Sequence, residues 1–232
     1  MPALRYFQLT DRGKLRSGNE DSMIVEDPQD PVLRKKKGVL FAVADGLGGL
    51  EHGEIASAKS VLELHRLFKE LKEWKGPEWL RAAIKTVNAS IHEINRQVNQ
   101  VEWMATTLTA SVFFEDRLYV GHVGDSRLYQ IRKGRIHCLT TDHSLDRYTL
   151  TRTIGIDPEV EVDLYESDLL SGDVYVQCSD GLYAVVPDEE ILRAAERSSP
   201  EESCKKLIEL ANRNGGPDNI TVQVIQAQLP NY

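Results

Sequence analysis

Strand-like apolar runs in this chain repeatedly end on a carboxylate beside a glycine or asparagine, and that recurrence limits the folds open to it. The plainest case is VLFAVADGLGG at residues 39–49, where six apolar residues lead to Asp45 and then to Gly46, Gly48 and Gly49. Gly124-Asp125 follows the run ending at Val123, Asp180-Gly181 follows the one ending near Cys178, and Asp218-Asn219 precedes the last run. Glu20 and Asp21, in RSGNED, stand before another. One Asp-Gly is an ordinary turn, because glycine tolerates positive φ and aspartate hydrogen-bonds its own backbone. Several acids delivered to strand ends that converge would repel one another unless cations lay between them. An all-oxygen set with no nearby cysteine favours Mg²⁺ or Mn²⁺ over zinc.

The glycines then have a purpose. Gly46 lets a backbone carbonyl and water approach an ion, and Gly48 and Gly49 let the chain turn sharply into a helix. Two ions sharing a water would lower its pKa and aim it at phosphorus, so no Ser, Cys or His nucleophile is required. Arg16, four positions before Glu20, offers a planar fork for phosphate oxygens.

Hydrophobic periodicity places strands at residues 5–9, 23–25 and 39–44. Two amphipathic helices follow, one carrying Val61, Leu64, Phe68 and Leu71, the other Leu80, Ile84, Val87, Ile91, Ile94 and Val98. From Ala105 the period drops to two, through Leu108, Ala110, Val112 and Phe114 and then Leu118, Val120 and Val123. Further strands are expected at 160–164, 174–178 and 220–225. Helices are expected from about Pro187 (Ile191, Leu192, Ala195) and through Cys204, Leu207, Ile208 and Ala211. Strands, a helix pair, many strands, another helix pair and a closing strand make an α+β layered architecture rather than a parallel βαβ sheet.

With 232 residues, 41% of them hydrophobic, the chain fits one domain spanning 1–232. No segment approaches the ~18 apolar residues of a membrane span, and the N-terminus lacks the layout of a secretory signal, so a soluble, cytoplasmic protein with no membrane partner is expected. Cys138, Cys178 and Cys204 suggest neither disulfides nor zinc and read as reduced core thiols. A formal charge of −8 argues against nucleic-acid binding. The basic run Arg34 to Lys37, between turn residues, reads as a solvated hairpin tip.

Taken in order, RSGNED (16–21), ADGLGG (44–49), GEIAS (53–57), ATTLTA (105–110), VGDSRLY (123–129), LTTDHS (139–144), LTRTIG (150–155), CSDGL (178–182) and GGPDNITV (215–222) resemble the protein phosphatase 2C family, the PPM-type metal-dependent serine/threonine phosphatases, in its compact bacterial form. A lone DGxGG would be weak, whereas an ordered set across nearly the whole chain is specific. The resemblance implies a four-layer α/β/β/α sandwich, two antiparallel sheets flanked by helix pairs. It implies two Mg²⁺ or Mn²⁺ ions, with Asp45 bridging them and Gly46 giving its carbonyl. Glu20 would serve one ion, Asp180 and Asp218 the other, and Asp125 is the candidate ligand of a third, weaker ion. Arg16 would clamp phosphate, with Asp21 and Asn219 in support.

The chain departs from its relatives twice. Leu47 stands where many eukaryotic members carry a histidine, so the leaving group takes its proton from water or another group; His52 and His143 read as surface and structural residues. The flap between the DHS and LTR motifs is almost absent, which implies a more open site. The expected activity is hydrolysis of phosphoserine and phosphothreonine in proteins, opposing a bacterial serine/threonine kinase. The alternatives are a non-catalytic module of the same fold that binds a partner or senses metal, and, more weakly, nucleotide binding at the glycine-rich loop. The dinucleotide fingerprint fails at Glu51, and no phosphate-binding GxxxxGK[ST] loop is present.

Overall fold

A strand covered on both faces has no solvent face to alternate with, which is why residues 39–44 read as an unbroken apolar run. In the computed structural model, which describes residues 3–47, 52–146 and 149–228, Val39 through Ala44 are wholly buried. Leu40, Ala42 and Ala44 face a core under helices, and Val39 and Phe41 face a second core between two sheets.

The chain begins β1 (Ala3–Asp11), β2 (Asp21–Glu26), α1 (Pro31–Lys37), β3 (Val39–Asp45), α2 (Gly53–Glu70) and α3 (Pro77–Asn95). It continues β4 (Leu108–Phe114), β5 (Arg117–Val123), β6 (Arg127–Arg132), β7 (Arg135–Cys138), β8 (Ser144–Asp146), β9 (Thr149–Leu150), β10 (Asp163–Asp168) and β11 (Val174–Cys178). It closes with α4 (Asp180–Tyr183), α5 (Asp188–Ala195), α6 (Pro200–Arg213) and β12 (Ile220–Gln228). Two five-stranded antiparallel sheets, β10-β5-β4-β3-β2 and β1-β12-β11-β6-β7, stack face to face. The pair α2 and α3 covers the outer face of the first, and α5 and α6 cover the second, as the four-layer expectation requires.

The helices form where the apolar spacing places them. Leu64, Phe68, Leu80, Ile84 and Ile91 are fully buried on the facing sides of α2 and α3. α3 ends at Asn95, whose buried amide bonds Met104 and Gly155, so Val98 falls beyond the helix and is partly exposed. A capping box at Ser199 and Glu202 starts α6.

Two expectations are corrected. Residues 34–37 are not a hairpin tip: Asp30 caps Val32, Pro31 opens α1, and Lys37 turns inward. Its ammonium donates to the carbonyl of Phe68 at 2.8 Å and lies over that ring, so a lysine satisfies the C-terminal carbonyls of α2. The strand expected at 160–164 starts at Asp163 instead. Val160 and Val162 are buried against the helix-side core but join no ladder, because alternating burial does not by itself require strand pairing.

All three cysteines are free thiols, with Cys178 and Cys204 buried. β8 and β9 pair as a short two-stranded ladder between the DHS and LTR motifs, and Arg147 and Tyr148 between them lie outside the described residues.

Candidate active site

The acids meet at one end of the sandwich because antiparallel pairing puts strand ends side by side. Asp45, last in β3, pairs with Asp21, first in β2. The Asp45 amide is bonded by Thr107 Oγ1 at 2.9 Å, and its carbonyl accepts from the Thr107 amide and the Thr106 hydroxyl. The backbone around the acid is therefore fixed. The residue is partly buried, and desolvation of its carboxyl raises its pKa well above the usual carboxylate range, with Asp21, Asp180, Asp125 and Asp218 each pushing it further. Asp21 is pushed up to about 6 and Asp180 to about 7, burial again being the largest cause.

Five aspartates from five separate parts of the chain thus share one electrostatic environment. Glu20 stands on its flank, raised by burial and by Glu54 and Asp218, with Arg16 opposing. The convergence is electrostatic rather than a finished cage. Among the described residues no three His, Cys, Asp or Glu side chains enclose an ion site, although Asp45 lies within hydrogen-bond reach of both Asp21 and Asp180.

The donor set fits a hard divalent cation. It is all oxygen, every leading influence on Asp45 disfavours its charged form, and Asp21 Oδ1 is buried without a hydrogen-bond partner. Positive charge brought to such a cluster favours the ionised form of its acids.

Asp218, just before β12, accepts from Arg16 Nη2 at 2.7 Å, and that bond chiefly raises the guanidinium's pKa. Arg16 is partly exposed at the rim of a cavity of about 370 Å³ lined by Leu15, Asp180, Gly181, Pro217 and Asp218. Asn219 ties the far end of the chain to the first loop: its side chain accepts from the Glu20 amide and donates to the carbonyls of Arg12 and Gly18. Ser179 donates to Asp21 at 2.7 Å and accepts from the Thr221 amide.

Gly46 is required for a reason beyond access. A Cβ there would collide with the main chain of Gly53 and lie 2.6 Å from the carbonyl of Glu20, so this glycine lets the start of α2 close over the strand end. Gly48 and Gly49 lie outside the described residues. His52 is half exposed, in left-handed backbone at φ 72°, with Nδ1 3.9 Å from Glu54. His143 is buried and bonds the Gly124 amide through Nδ1, with Asp163 and Arg152 at Nε2. It is a structural residue, as read from the sequence.

Sequence reasoning passed over Tyr183, whose hydroxyl donates to Asp125 Oδ2 at 3.1 Å, and Ser179. A signal existed for both: Tyr183 lies one helical turn after Asp180, and Ser179 continues the period-two face of β11.

Residues 22–222 match the protein phosphatase 2C family. The serine/threonine protein phosphatase PstP of Mycobacterium tuberculosis is 36% identical over 95% of this chain, which spans only 44% of that relative's length. The serine/threonine phosphatase stp of Listeria innocua is 32% identical over 95% of this chain and 94% of its own. A crystal structure of the catalytic domain of PstP in complex with two manganese ions superposes with a TM-score of 0.85 at 35% identity, covering 99% of this chain and all of that one. Shared fold, matched sequence and converging acids together assign the chain to the protein phosphatase 2C family.

Proposed function

We propose that this chain is a Mg²⁺- or Mn²⁺-dependent serine/threonine protein phosphatase, acting as one domain on phosphoserine and phosphothreonine proteins. The observation that carries this reading is the convergence on partly buried Asp45, whose carboxyl is raised by desolvation and then by four other aspartates, an arrangement suited to two cations. Asp45 would bridge the pair, the Gly46 carbonyl and Glu20 would serve one ion, Asp180 and Asp218 the other, and Asp125 a third, weaker one. The bound ions would supply an acidified water as nucleophile and neutralise the phosphate oxygens.

The chain's own residues do the rest. Arg16 contacts Asp218 through one guanidinium nitrogen at the rim, where the fork can turn to a phosphate. Asn219 and Ser179 hold Glu20 and Asp21 in place. With Leu47 after the Asp-Gly pair, solvent protonates the departing serine or threonine oxygen. The short β8-β9 hairpin leaves the site open, so flanking residues of the substrate matter little.

The work of such an enzyme is to oppose a serine/threonine kinase, and we place it in the cytoplasm. No helix among the described residues is long and apolar enough to cross a membrane. Mn²⁺-stimulated hydrolysis of an aryl phosphate and of phosphothreonine peptides tests the proposal. Activity should vanish in Asp180→Asn, and an inactive wild type across several divalent ions would favour a non-catalytic binding module.

A further inference from the structure

A second cavity beside α4, of about 270 Å³, has walls that include Asp125, Arg127, Asp142, Asp180 and Tyr183. Three of these side chains form a layered brace. Arg127 lays its guanidinium 3.7 Å from the centre of the Tyr183 ring. Asp142 grips the same guanidinium from Nε at 3.0 Å and Nη2 at 2.8 Å, and Nη1 donates to the Tyr129 hydroxyl at 2.9 Å. A cation stacked on a ring and forked by a carboxylate has little freedom, so the ring it covers is held too. The one polar atom of that ring points at Asp125.

We propose that Tyr183 is a positioning residue for Asp125: its hydroxyl occupies Oδ2 and thereby fixes the direction in which Oδ1 is offered to a divalent ion. The backbone beneath Asp125 is fixed separately. His143 accepts from the Gly124 amide at 3.1 Å through Nδ1 and donates its own amide to the Gly124 carbonyl at 2.8 Å. Main chain and side chain of this acid are thus oriented from opposite sides, by the base of the β8-β9 hairpin and by α4. Outer partners of this kind orient ligating carboxylates and govern metal affinity. The inference rests on the reading of Asp125 as an ion ligand.

The test is calorimetric titration of the metal-free chain with Mn²⁺, comparing wild type, Tyr183→Phe, Asp125→Asn and the double variant. Phenylalanine keeps the ring on Arg127 and removes only the hydroxyl. Tyr183→Phe should weaken the loosest class of Mn²⁺ sites about tenfold, leave the tighter class unchanged, and have no effect in the Asp125→Asn background. The half-saturating Mn²⁺ for aryl phosphate hydrolysis should rise by more than kcat falls, and melting of the metal-free variant should match wild type. Unchanged binding in Tyr183→Phe beside weakened binding in Asp125→Asn would overturn the role of Tyr183 and spare that of Asp125. An equal loss in both backgrounds would overturn it as well. Unchanged binding in Asp125→Asn would remove both.

Discussion

The space between the two sheets has two ends built from the same strands, and they hold together in opposite ways. At one end Tyr6, Phe41, Phe113 and Tyr175 stack edge to face with centroids 5.2 to 5.4 Å apart, among Leu118, Val120 and Ile225. At the other end the same inward faces turn polar. β11 passes from Tyr175 to Gln177 and on to Ser179, and β12 passes back from Ile225 to Gln223 and Thr221. Gln177 bonds Ser111 and the carbonyl of Thr109, Gln223 bonds Gln8, and Ser179 bonds Asp21. Even so, Asp21 Oδ1 and Gln223 Oε1 are left buried without partners. An apolar end stabilises the sandwich without direction, whereas a polar end holds repelling acids in register at a cost in stability. The difference teaches that this fold separates what keeps it folded from what makes it reactive.

Substitutions at the two ends should therefore fail differently. Asp45→Asn should lower kcat/KM on an aryl phosphate on the order of 10³-fold, since ion-based charge stabilisation is worth several kcal/mol and each 1.36 kcal/mol is tenfold. Its metal-free form should still melt cooperatively. Phe113→Ala, at the apolar end, should cost about 3–5 kcal/mol in denaturant unfolding while kcat is retained in the folded fraction. Equal damage to activity and stability from either change would erase the contrast.

The pH dependence sharpens it. In the folded metal-free chain Asp180 and Asp21 titrate near about 7 and about 6, and Asp45 is raised too, whereas unfolded aspartates titrate near about 4. The folded state then binds more protons than the unfolded one, so these acids make stability fall as pH rises from about 4 to about 7. Buried His122, held at about 4 chiefly by desolvation, acts in the opposite sense up to about 6.5, the unfolded histidine value. Above about 6.5 the acids govern, and the melting temperature of metal-free protein should drop toward pH 8. Excess Mn²⁺ should reverse that trend, because binding needs the ionised acids. The smallest effect belongs to Ser111→Ala, which leaves Gln177 Oε1 without its donor and should cost about 1 kcal/mol in unfolding, with little change in turnover.

Much of this was legible in the sequence because it is local. A period of two, a period of 3.6 and an acid at a strand's end are visible within ten residues, so β3, β4, β11 and both helix pairs fall where expected, and the acids lie where those strands stop. What could not be read depends on partners distant in the chain. Lys37 turns inward because α2 ends above it, and residues 160–162 stay out of the sheet because their neighbours offer no ladder. Arg16 was legible as a cation near an acid, but its contact with Asp218, 202 positions away, was not. Tyr183 bonds Asp125 only because α4 and the β5–β6 turn meet in space.

The central claim is that acids at the polar end hold two divalent ions. Anomalous diffraction from crystals grown with Mn²⁺ tests it most directly. The account predicts two manganese peaks about 3.5–4 Å apart flanking the Asp45 carboxylate. A single peak remote from Asp45, or none in that cleft at saturating Mn²⁺, would contradict it.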